Sequence, residues 1–313
     1  MIVSVTPNTS MDYIVFVKDF PRDKTIRATR TAESIGGKAT DASWILGELG
    51  MPSLALGFKA GRNGELIESF LHEKGVTTDF IPVEGESRRN LILISEEGWQ
   101  TAITTSSLSI SEAQIDILRQ KYLKALETAT VIVLGGTLPQ GMKPEFYTEF
   151  IHLARERGVP VVFDAAEPNL SAGLGAQPNY IKPNKDELSG IVGRPIESLE
   201  DAYTAGRMLL DRYGTAPVIT LGGEGGLAVL PDRAYYIPTI PVQVVNAAGA
   251  GDAVLAGITA SLHRGQPIED GLRLGFAAAA ATVIMPGTAE LTREDVERFM
   301  PQVELMPFEG VRA

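Results

Sequence analysis

The segment from Asn246 to Asp252 has the composition of an anion-binding helix start. Its sequence, NAAGAGD, consists largely of small residues and leads into an apolar stretch that runs from Ala253 to Leu262. Small residues let the backbone approach a ligand, and the free amides and dipole of a first helical turn attract negative charge. A carboxylate at Asp252 would repel a bound phosphate. We therefore expect it to accept a proton from an attacking hydroxyl, the alternative being an acid that only complements the helix dipole.

A second candidate anion site is the Gly36-Gly37-Lys38 turn, which precedes a predicted helix. Paired glycines permit close backbone approach, and the helix amides and the Lys38 ammonium supply positive potential. A ligand phosphate or a sugar hydroxyl fits there. The alternative is ordinary turn chemistry.

Two further candidates are Asp12, which follows the first predicted strand, and the Arg88-Arg89-Asn90 segment. Successive strand residues face opposite sides, so Arg88 and Asn90 share a side, and we expect Arg88 to point inward and bind phosphate. The alternative for this segment is a charged edge strand. Asp12 lies where ligands of open parallel sheets gather and could hold sugar hydroxyls, although an isolated loop Asp often forms an Asx turn.

The Lys182-Pro183-Asn184-Lys185-Asp186-Glu187 segment places two oxygen donors, Asn184 and Glu187, three residues apart on one helical face. Such donors suit a hydrated Mg²⁺ near nucleotide phosphates, and the same spacing also fits a capping box. The glycine-rich turn from Leu221 to Gly226 connects two predicted strands. It could border a nucleotide or form a simple hairpin.

Composition excludes several classes of protein. The 313 residues contain no cysteine and three histidines, which excludes disulfides and makes a histidine-built metal site improbable. A net charge of -11 argues against general nucleic-acid binding. The apolar stretch from Leu274 to Met285 is too short to span a membrane and predicts a buried helix. No secretory signal is evident at Met1 to Val5, so we expect a cytoplasmic protein.

Short apolar runs alternate with helical patterns, which predicts an α/β fold with a parallel sheet covered by helices. The predicted strands are Ile2 to Thr6, Ser53 to Gly57, Val131 to Leu134, Val161 to Asp164, Tyr180 to Lys182 and Val218 to Leu221. The predicted helices are Lys38 to Leu49, Gly64 to Lys74, Ser111 to Leu126, Glu145 to Arg157, Leu199 to Tyr213 and Ala250 to His263.

Residues 11–34 and 86–105 interrupt this alternation, because strand-like runs occur there without a helix between them. We expect them to pair into a small sheet that projects from the main one and acts as a lid. The alternative is an irregular edge extension without function. No repeat or Pro/Ser-rich linker divides the chain, which predicts one domain over residues 1–313.

The order and placement of these motifs resemble the PfkB, or ribokinase-like, sugar kinase family, within it the branch of 1-phosphofructokinase and tagatose-6-phosphate kinase. Gly249-Ala250-Gly251-Asp252 is similar to the C-terminal signature of the family, and Gly36-Gly37-Lys38 is similar to the start of its N-terminal signature. The resemblance covers nearly the whole chain. It implies a ribokinase-like three-layer sandwich with a mostly parallel central sheet and a small β-sheet lid.

The resemblance also implies a role for each motif. Asp252 would be the catalytic base, with Gly249, Ala250 and Gly251 forming an anion hole. The implied substrate-binding residues are Asp12, Gly37, Lys38, Asp41, Arg88 and Asn90. The implied ATP-binding residues are Lys182, Asn184, Thr220, Gly222 and Gly225, with Glu187 near Mg²⁺.

One departure from the family pattern concerns substrate choice. The N-terminal motif usually continues Gly-x-Asn after the lysine, whereas this chain has Ala39-Thr40-Asp41. The resemblance implies an ATP- and Mg²⁺-dependent kinase that converts a ketohexose monophosphate to a bisphosphate, with a homodimer formed through the lid and no nucleic-acid or membrane partner. The alternatives are a kinase of an unphosphorylated sugar or nucleoside, which Asp41 keeps open, and a non-catalytic sugar-phosphate sensor.

Overall fold

A computed structural model describes residues 1–310, which contain fifteen strands and ten α-helices. The strands are β1 (Ile2–Thr6), β2 (Ser10–Val17), β3 (Arg30–Gly36), β4 (Ser53–Lys59), β5 (Thr77–Thr78), β6 (Ile81–Pro82), β7 (Arg88–Ser95), β8 (Gln100–Ile103), β9 (Val131–Gly135), β10 (Val161–Asp164), β11 (Tyr180–Ile181), β12 (Ala216–Thr220), β13 (Gly226–Val229), β14 (Ala234–Ile237) and β15 (Met306–Pro307). The helices are α1 (Lys38–Glu48), α2 (Gly61–Glu73), α3 (Glu112–Ala125), α4 (Glu145–Arg155), α5 (Asn169–Gly175), α6 (Lys185–Val192), α7 (Leu199–Tyr213), α8 (Ala250–Arg264), α9 (Ile268–Val283) and α10 (Arg293–Phe299).

The main sheet is parallel through its centre and antiparallel at one side. Its order is β15-β14-β13-β12-β11-β10-β9-β1-β4-β5, with β6 also paired to β4. Strands β12 to β15 form the antiparallel side. The parallel strands place their carboxyl ends at one edge, where ligands of open α/β sheets bind.

Helices cover both faces of this sheet, because alternate strand residues enter two different apolar cores. Val3 and Val5 of β1 pack into the core that includes residues of α3, α4 and α7. Ile2 packs into the core that includes residues of α1, α2, α8 and α9. The arrangement confirms the predicted three-layer α/β fold.

A separate small sheet has the order β3-β2-β7-β8. Strand β2 runs antiparallel to β3 and parallel to β7, with Asp12 opposite both Ser34 and Asn90. Only the buried residues 7–9 separate β1 from β2, and only Gly37 separates β3 from α1. Two of the four connections between the small sheet and the main body are therefore very short.

Close packing between α8 and α9 fixes the helix that carries Asp252. A Cβ atom added to Gly257 would lie 2.3 Å from the backbone nitrogen of Gly275 and 2.4 Å from the carbonyl oxygen of Gly271. No side chain fits in that space, since real Cβ contacts are longer. Glycine at this position lets the two helix backbones touch.

The predicted strands and helices are all present; half of their boundaries coincide with those observed, and the others differ by one to three residues. Helix α2 begins at Gly61 rather than Gly64, and β11 ends at Ile181 rather than Lys182. The buried helix predicted from Leu274 is the second half of α9. Helices α5 and α10 were not predicted, because each has only seven residues and shows no long apolar period. None of the helices within residues 1–310 is long and apolar enough to cross a membrane.

Candidate active site

A cleft of about 870 Å³ opens beside the first turn of α8. Its polar end is formed by Lys38, Lys182, Asn184, Thr220 and Asp252. Glycine and apolar residues form the rest, among them Gly222, Gly225, Ile240, Val242, Phe276, Ala279 and Val283. The cleft is large enough for a nucleotide.

Asp252 lies in the first turn of α8, and Gly249 caps that helix in a left-handed conformation with a φ of 87°. A Cβ atom at Gly249 would lie 2.2 Å from the backbone nitrogen of Ala289. Both the positive φ and the close neighbour therefore require glycine there. Within α8, the amides of Ala250 and Gly251 have no preceding helical carbonyl to bind, so they are available to an anion.

Two neighbouring contacts shape the approach to α8. The side-chain oxygen of Asn246 accepts a hydrogen bond from the amide of Ala248 at 2.9 Å. Gln100, on β8 of the small sheet, accepts one from the amide of Ala247 at 3.3 Å. The small sheet thus touches the loop that leads into the catalytic candidate.

A network of buried charges lies at the polar end of the cleft. Lys38 Nζ is 2.7 Å from Asp164 Oδ1 and 3.1 Å from Glu187 Oε1, while Lys182 Nζ is 3.1 Å from Asp164 Oδ2. Burial alone would lower the pKa of Lys38, but the nearby carboxylates of Asp164, Glu187 and Asp252 outweigh it and raise that pKa. The ammonium group of Lys38 therefore stays charged beside the open amides of α8.

Burial raises the pKa of Asp252 to about 7. The ammonium groups of Lys38 and Lys182 oppose this shift, and the negative charge of Asp164 adds to it. A carboxyl group with a pKa near neutrality can take up a proton during a reaction and release it afterwards.

The polar pocket, our name for the group Asp12, Asp41, Arg88 and Asn90, lies between the small sheet and α1. Asp12 is 5 % exposed, and its Oδ1 accepts hydrogen bonds from Ser10 Oγ at 3.0 Å and Asn90 Nδ2 at 2.8 Å. The charges of Asp12 and Asp41 act on Arg88, whose Nε is buried without a hydrogen-bond partner among the residues described. Asn90 Oδ1 and Asp41 Oδ1 are also buried without a hydrogen-bond partner in the part of the chain that the structure describes. The polar pocket can therefore bind polar groups of a ligand.

Arg88 and Arg89 face opposite sides of β7, as their alternation predicts. Arg89 forms an ion pair with Glu33 and lies 4.8 Å from the centre of the Tyr13 ring. Arg88 faces Asp12 and Asp41 instead.

Asn184 and Glu187 form a capping box at the start of α6. Asn184 Oδ1 accepts from the Glu187 amide at 2.8 Å, and Glu187 Oε2 accepts from the Asn184 amide at 2.8 Å. Glu187 also contacts Lys38, which lines the cleft. The same side chain therefore caps α6 and lies beside the cleft. Thr220 ends β12, and a short 3₁₀ turn from Gly222 to Glu224 leads to Gly225 before β13, as predicted for a turn between two strands.

The structure therefore brings the sequence-predicted residues together in two groups that meet at Asp252. Those lining the cleft are Lys38, Lys182, Asn184, Thr220, Gly222, Gly225, Ala250 and Gly251. The polar pocket and the Gly37 amide, which donates to Asp41 Oδ2, lie on the other side. Asp164 had no role predicted from the sequence. Its position, as an acid at the carboxyl end of a buried strand, could have indicated a place in the site, because ligands bind at that edge of open α/β sheets.

Known carbohydrate kinases resemble this chain over almost its whole length. The model of the pfkB family carbohydrate kinases matches residues 3–295. A 1-phosphofructokinase from Bacillus subtilis is 31 % identical over 97 % of this chain and 99 % of its own, and a tagatose-6-phosphate kinase from Staphylococcus epidermidis is 28 % identical over 98 % and 99 %. The crystal structure of phosphofructokinase-2 from Escherichia coli in complex with potassium superposes with a TM-score of 0.87 at 25 % identity, covering 96 % of this chain and 98 % of that one. The chain belongs to the pfkB family of carbohydrate kinases.

Proposed function

We propose that this kinase transfers the γ-phosphoryl group of ATP to a hydroxyl of a ketohexose monophosphate and forms a bisphosphate. The observation that carries the proposal is the position of Asp252, which borders both the nucleotide-sized cleft and Asp41 of the polar pocket. The relatives named 1-phosphofructokinase and tagatose-6-phosphate kinase support this choice of substrate class.

In this proposal the cleft binds ATP. Near the base, Gly222 gives exposed backbone and the buried Gly225 lines the cleft, and Phe276 with its alanine neighbours gives apolar contact. Lys182, Asn184 and Thr220 lie toward the phosphates. Because Lys38 is tied to Asp164 and Glu187 at the cleft, its position favours contact with the transferring phosphoryl group over the resting phosphate of the sugar.

The polar pocket binds the sugar phosphate. The oxygens of Asp12 and Asn90 accept hydrogen bonds from sugar hydroxyls, and Asp41 with the Gly37 turn borders the sugar. Arg88 binds the phosphate of the substrate, since its buried Nε has no partner within residues 1–310 and a guanidinium matches phosphate geometry.

Asp252 orients the acceptor hydroxyl and removes its proton as the hydroxyl oxygen attacks the γ-phosphorus, while the bond between that phosphorus and the bridging oxygen breaks and ADP leaves. The amides of Ala250 and Gly251, at the turn fixed by Gly249, donate hydrogen bonds to the phosphoryl oxygens. Lys38 and Lys182 offset the charge that develops there. The proton ends on Asp252, which releases it after the products leave.

The residues present fit a hydrated Mg²⁺ bound with the nucleotide. No group of three or more His, Cys, Asp or Glu side chains within residues 1–310 could hold a metal ion by itself. A nucleotide-bound Mg²⁺ keeps several waters and needs only one or two protein oxygens. Glu187 and Asn184 would provide these oxygens. They would do so through water, because both Glu187 oxygens already accept hydrogen bonds from Lys38 and the Asn184 amide. When bound, the ion would neutralise charge on the phosphates.

The small sheet acts as a lid on the one domain formed by residues 1–310. Its contact between Gln100 and Ala247 places it against the loop before α8, and closure there would exclude water from the reaction. Two apolar side chains, Ile103 of β8 and Phe20 in the loop between β2 and β3, are about half exposed. This exposure supports a homodimer that pairs through the small sheet.

The experiment that tests the function is an assay of ADP release with fructose 1-phosphate, fructose 6-phosphate, tagatose 6-phosphate and the free sugars as acceptors. We expect kcat/KM to be highest for one of the phosphorylated ketohexoses. Activity confined to free sugars would overturn the role given to Arg88 and favour the alternative kinase of an unphosphorylated sugar.

A further inference from the structure

Asp41 is a buried carboxyl group with one satisfied oxygen and one free oxygen. It lies in the first turn of α1 and is 2 % exposed. Its Oδ2 accepts a hydrogen bond from the Gly37 amide at 3.0 Å. Its Oδ1 is buried and has no hydrogen-bond partner among the residues that the structure describes. A buried ionised oxygen without a donor is costly, so Oδ1 needs either a ligand or a proton.

The groups that face Asp41 come from three other elements. Asp252 of α8 and Asp12 of β2 bring negative charge, and Arg88 of β7 brings positive charge. Asp252 in turn faces Lys38 of α1, Asp164 at the end of β10 and Lys182 after β11. Burial, followed by the charges of Asp252 and Asp12, raises the pKa of Asp41 well above its usual range.

The side chains of Asp41 and Asp252 lie within hydrogen-bonding range of each other. Two carboxyl groups can form such a bond only when one of them holds a proton. The two ammonium groups act on Asp252, which favours the negative charge on that member of the pair. Asp41 is left as the member that holds the proton.

We propose that Asp41 carries a proton on Oδ1, donates it in a hydrogen bond to the Asp252 carboxylate, and thereby positions the general base. The inference rests on the proposed function for the role of Asp252. Its structural part, a proton shared between the buried Asp41 and the half-buried Asp252, does not depend on any substrate. Asp41 is therefore a positioning residue in addition to its place in the polar pocket.

A protonated Asp41 offers one acceptor and one donor, which is the pattern of an asparagine side chain. Oδ2 accepts from the Gly37 amide, and Oδ1 donates to Asp252. Asp41→Asn is accordingly the matched variant, because it keeps the shape and both hydrogen bonds and cannot ionise. Asp41→Leu keeps the branched shape, with a bulkier methyl group in place of each oxygen, and removes both bonds.

The first test measures stability without substrate. Wild type, Asp41→Asn and the exposed-site control Glu33→Gln are unfolded by urea between pH 4 and 9. Because the pKa of Asp41 is raised in the folded state, the folded wild type binds a proton that the unfolded chain releases above about pH 4. The folded-to-unfolded ratio of Asp41→Asn relative to wild type should therefore rise by up to about tenfold per pH unit until Asp41 ionises.

The control gives the folded-to-unfolded ratio of Glu33→Gln relative to wild type at each pH. If the same ratio for Asp41→Asn changes with pH no more than the control does, the shared proton is overturned. This outcome is separate from a failure of the proposed function, which would appear as wild-type protein without kinase activity on any sugar.

The second test measures the pH dependence of kcat. The kcat of wild type should fall at alkaline pH, where Asp41 ionises beside Asp252, and the pH profile of Asp41→Asn, normalised to its own maximum, should lack this alkaline fall. Asp41→Leu should fall by at least about tenfold at every pH. An alkaline loss unchanged in Asp41→Asn, or equal activity of the Asn and Leu variants, would overturn the positioning role.

Discussion

The ammonium of Lys38 lies 2.7 Å from Oδ1 of Asp164, and the other oxygen of that carboxyl lies 3.1 Å from the ammonium of Lys182. The side chains of Asp164 and Lys182 are 1 % and 4 % exposed. Burial opposes the ionisation of Asp164, but Lys182 and Lys38 outweigh it and hold its pKa below the usual value. The buried carboxylate of Asp164 therefore holds the ammonium groups of Lys38 and Lys182 beside the first turn of α8, whose amides are free.

The Asp164→Asn variant should lose about 3 to 5 kcal/mol of unfolding free energy, because it leaves Lys182 as a buried charge without a full partner. Urea unfolding at pH 7 measures the loss. The pKa of Asp164 is lowered in the folded state, so its contribution is present above about pH 4 and is lost as pH falls further. Glu33→Gln, which breaks an exposed ion pair with Arg89, should cost less than about 1 kcal/mol. Equal losses in the two variants would contradict this account.

The Asp252→Asn variant should bind nucleotide and sugar phosphate but turn over at least about 100-fold more slowly, since an amide cannot accept the hydroxyl proton. Steady-state kcat and calorimetric binding of each substrate separate the two effects. Near-normal turnover would remove Asp252 from the role of base.

The pH profile of kcat should show an acidic limb near neutrality, because burial raises the pKa of Asp252 to about 7 and only its ionised form accepts a proton. Below that pH, kcat should fall about tenfold per unit. The residual activity of Asp252→Asn is the control, since ionisation of the substrates would affect it equally. A wild-type profile that stays level down to pH 5 would show that this carboxyl titrates like an ordinary one.

The Arg88→Ala variant should raise KM for the phosphorylated sugar about 10- to 100-fold through loss of a charge-assisted hydrogen bond. Arg89→Ala is its matched control, because the neighbouring Arg89 pairs with Glu33 on the opposite face of β7. We expect KM of that variant to stay within about threefold of wild type. Equal effects of the two substitutions would argue against phosphate binding by Arg88.

Gly249→Ala should reduce both stability and kcat, because the added Cβ would lie 2.2 Å from the backbone nitrogen of Ala289 at a φ of 87°. Gly265→Ala, at the other end of α8, has a φ of 61° and open space around the added atom. We expect a loss of about 1 kcal/mol for Gly265→Ala and more than about 2 kcal/mol for Gly249→Ala. Similar losses, measured by urea unfolding, would mean that the close contact with Ala289 relaxes easily.

The sequence was sufficient to predict the central strands and the longer helices, because each is a buried apolar run or an amphipathic segment of adequate length. The small sheet was also predictable, since two strand-like stretches occurred without helices between them. Elements such as β5 and α5, with two and seven residues, carry too little periodicity and depend on tertiary contacts.

The motifs also indicated the candidate site residues, whose roles remain proposals. Contacts between distant motifs were not predictable. Asp164 appears in the sequence only as the last residue of a strand, and its contact with Lys38 depends on strand order. The proximity of Asp41 and Asp252 likewise arises from two helix starts that meet at the same edge of the sheet.

The two short connections of the small sheet have a consequence for motion. Residues 7–9 lead into the strand that carries Asp12, and Gly37 leads into the helix turn that carries Asp41. Asn8 is anchored by hydrogen bonds to Thr137 and Ser107, so the first connection has little freedom to slide. The other two connections, at residues 83–87 and 104–111, are longer, so a tilt of the small sheet would turn on the short ones, next to Asp12 and Asp41. The spacing of these two acids would then change with the angle of the sheet above them.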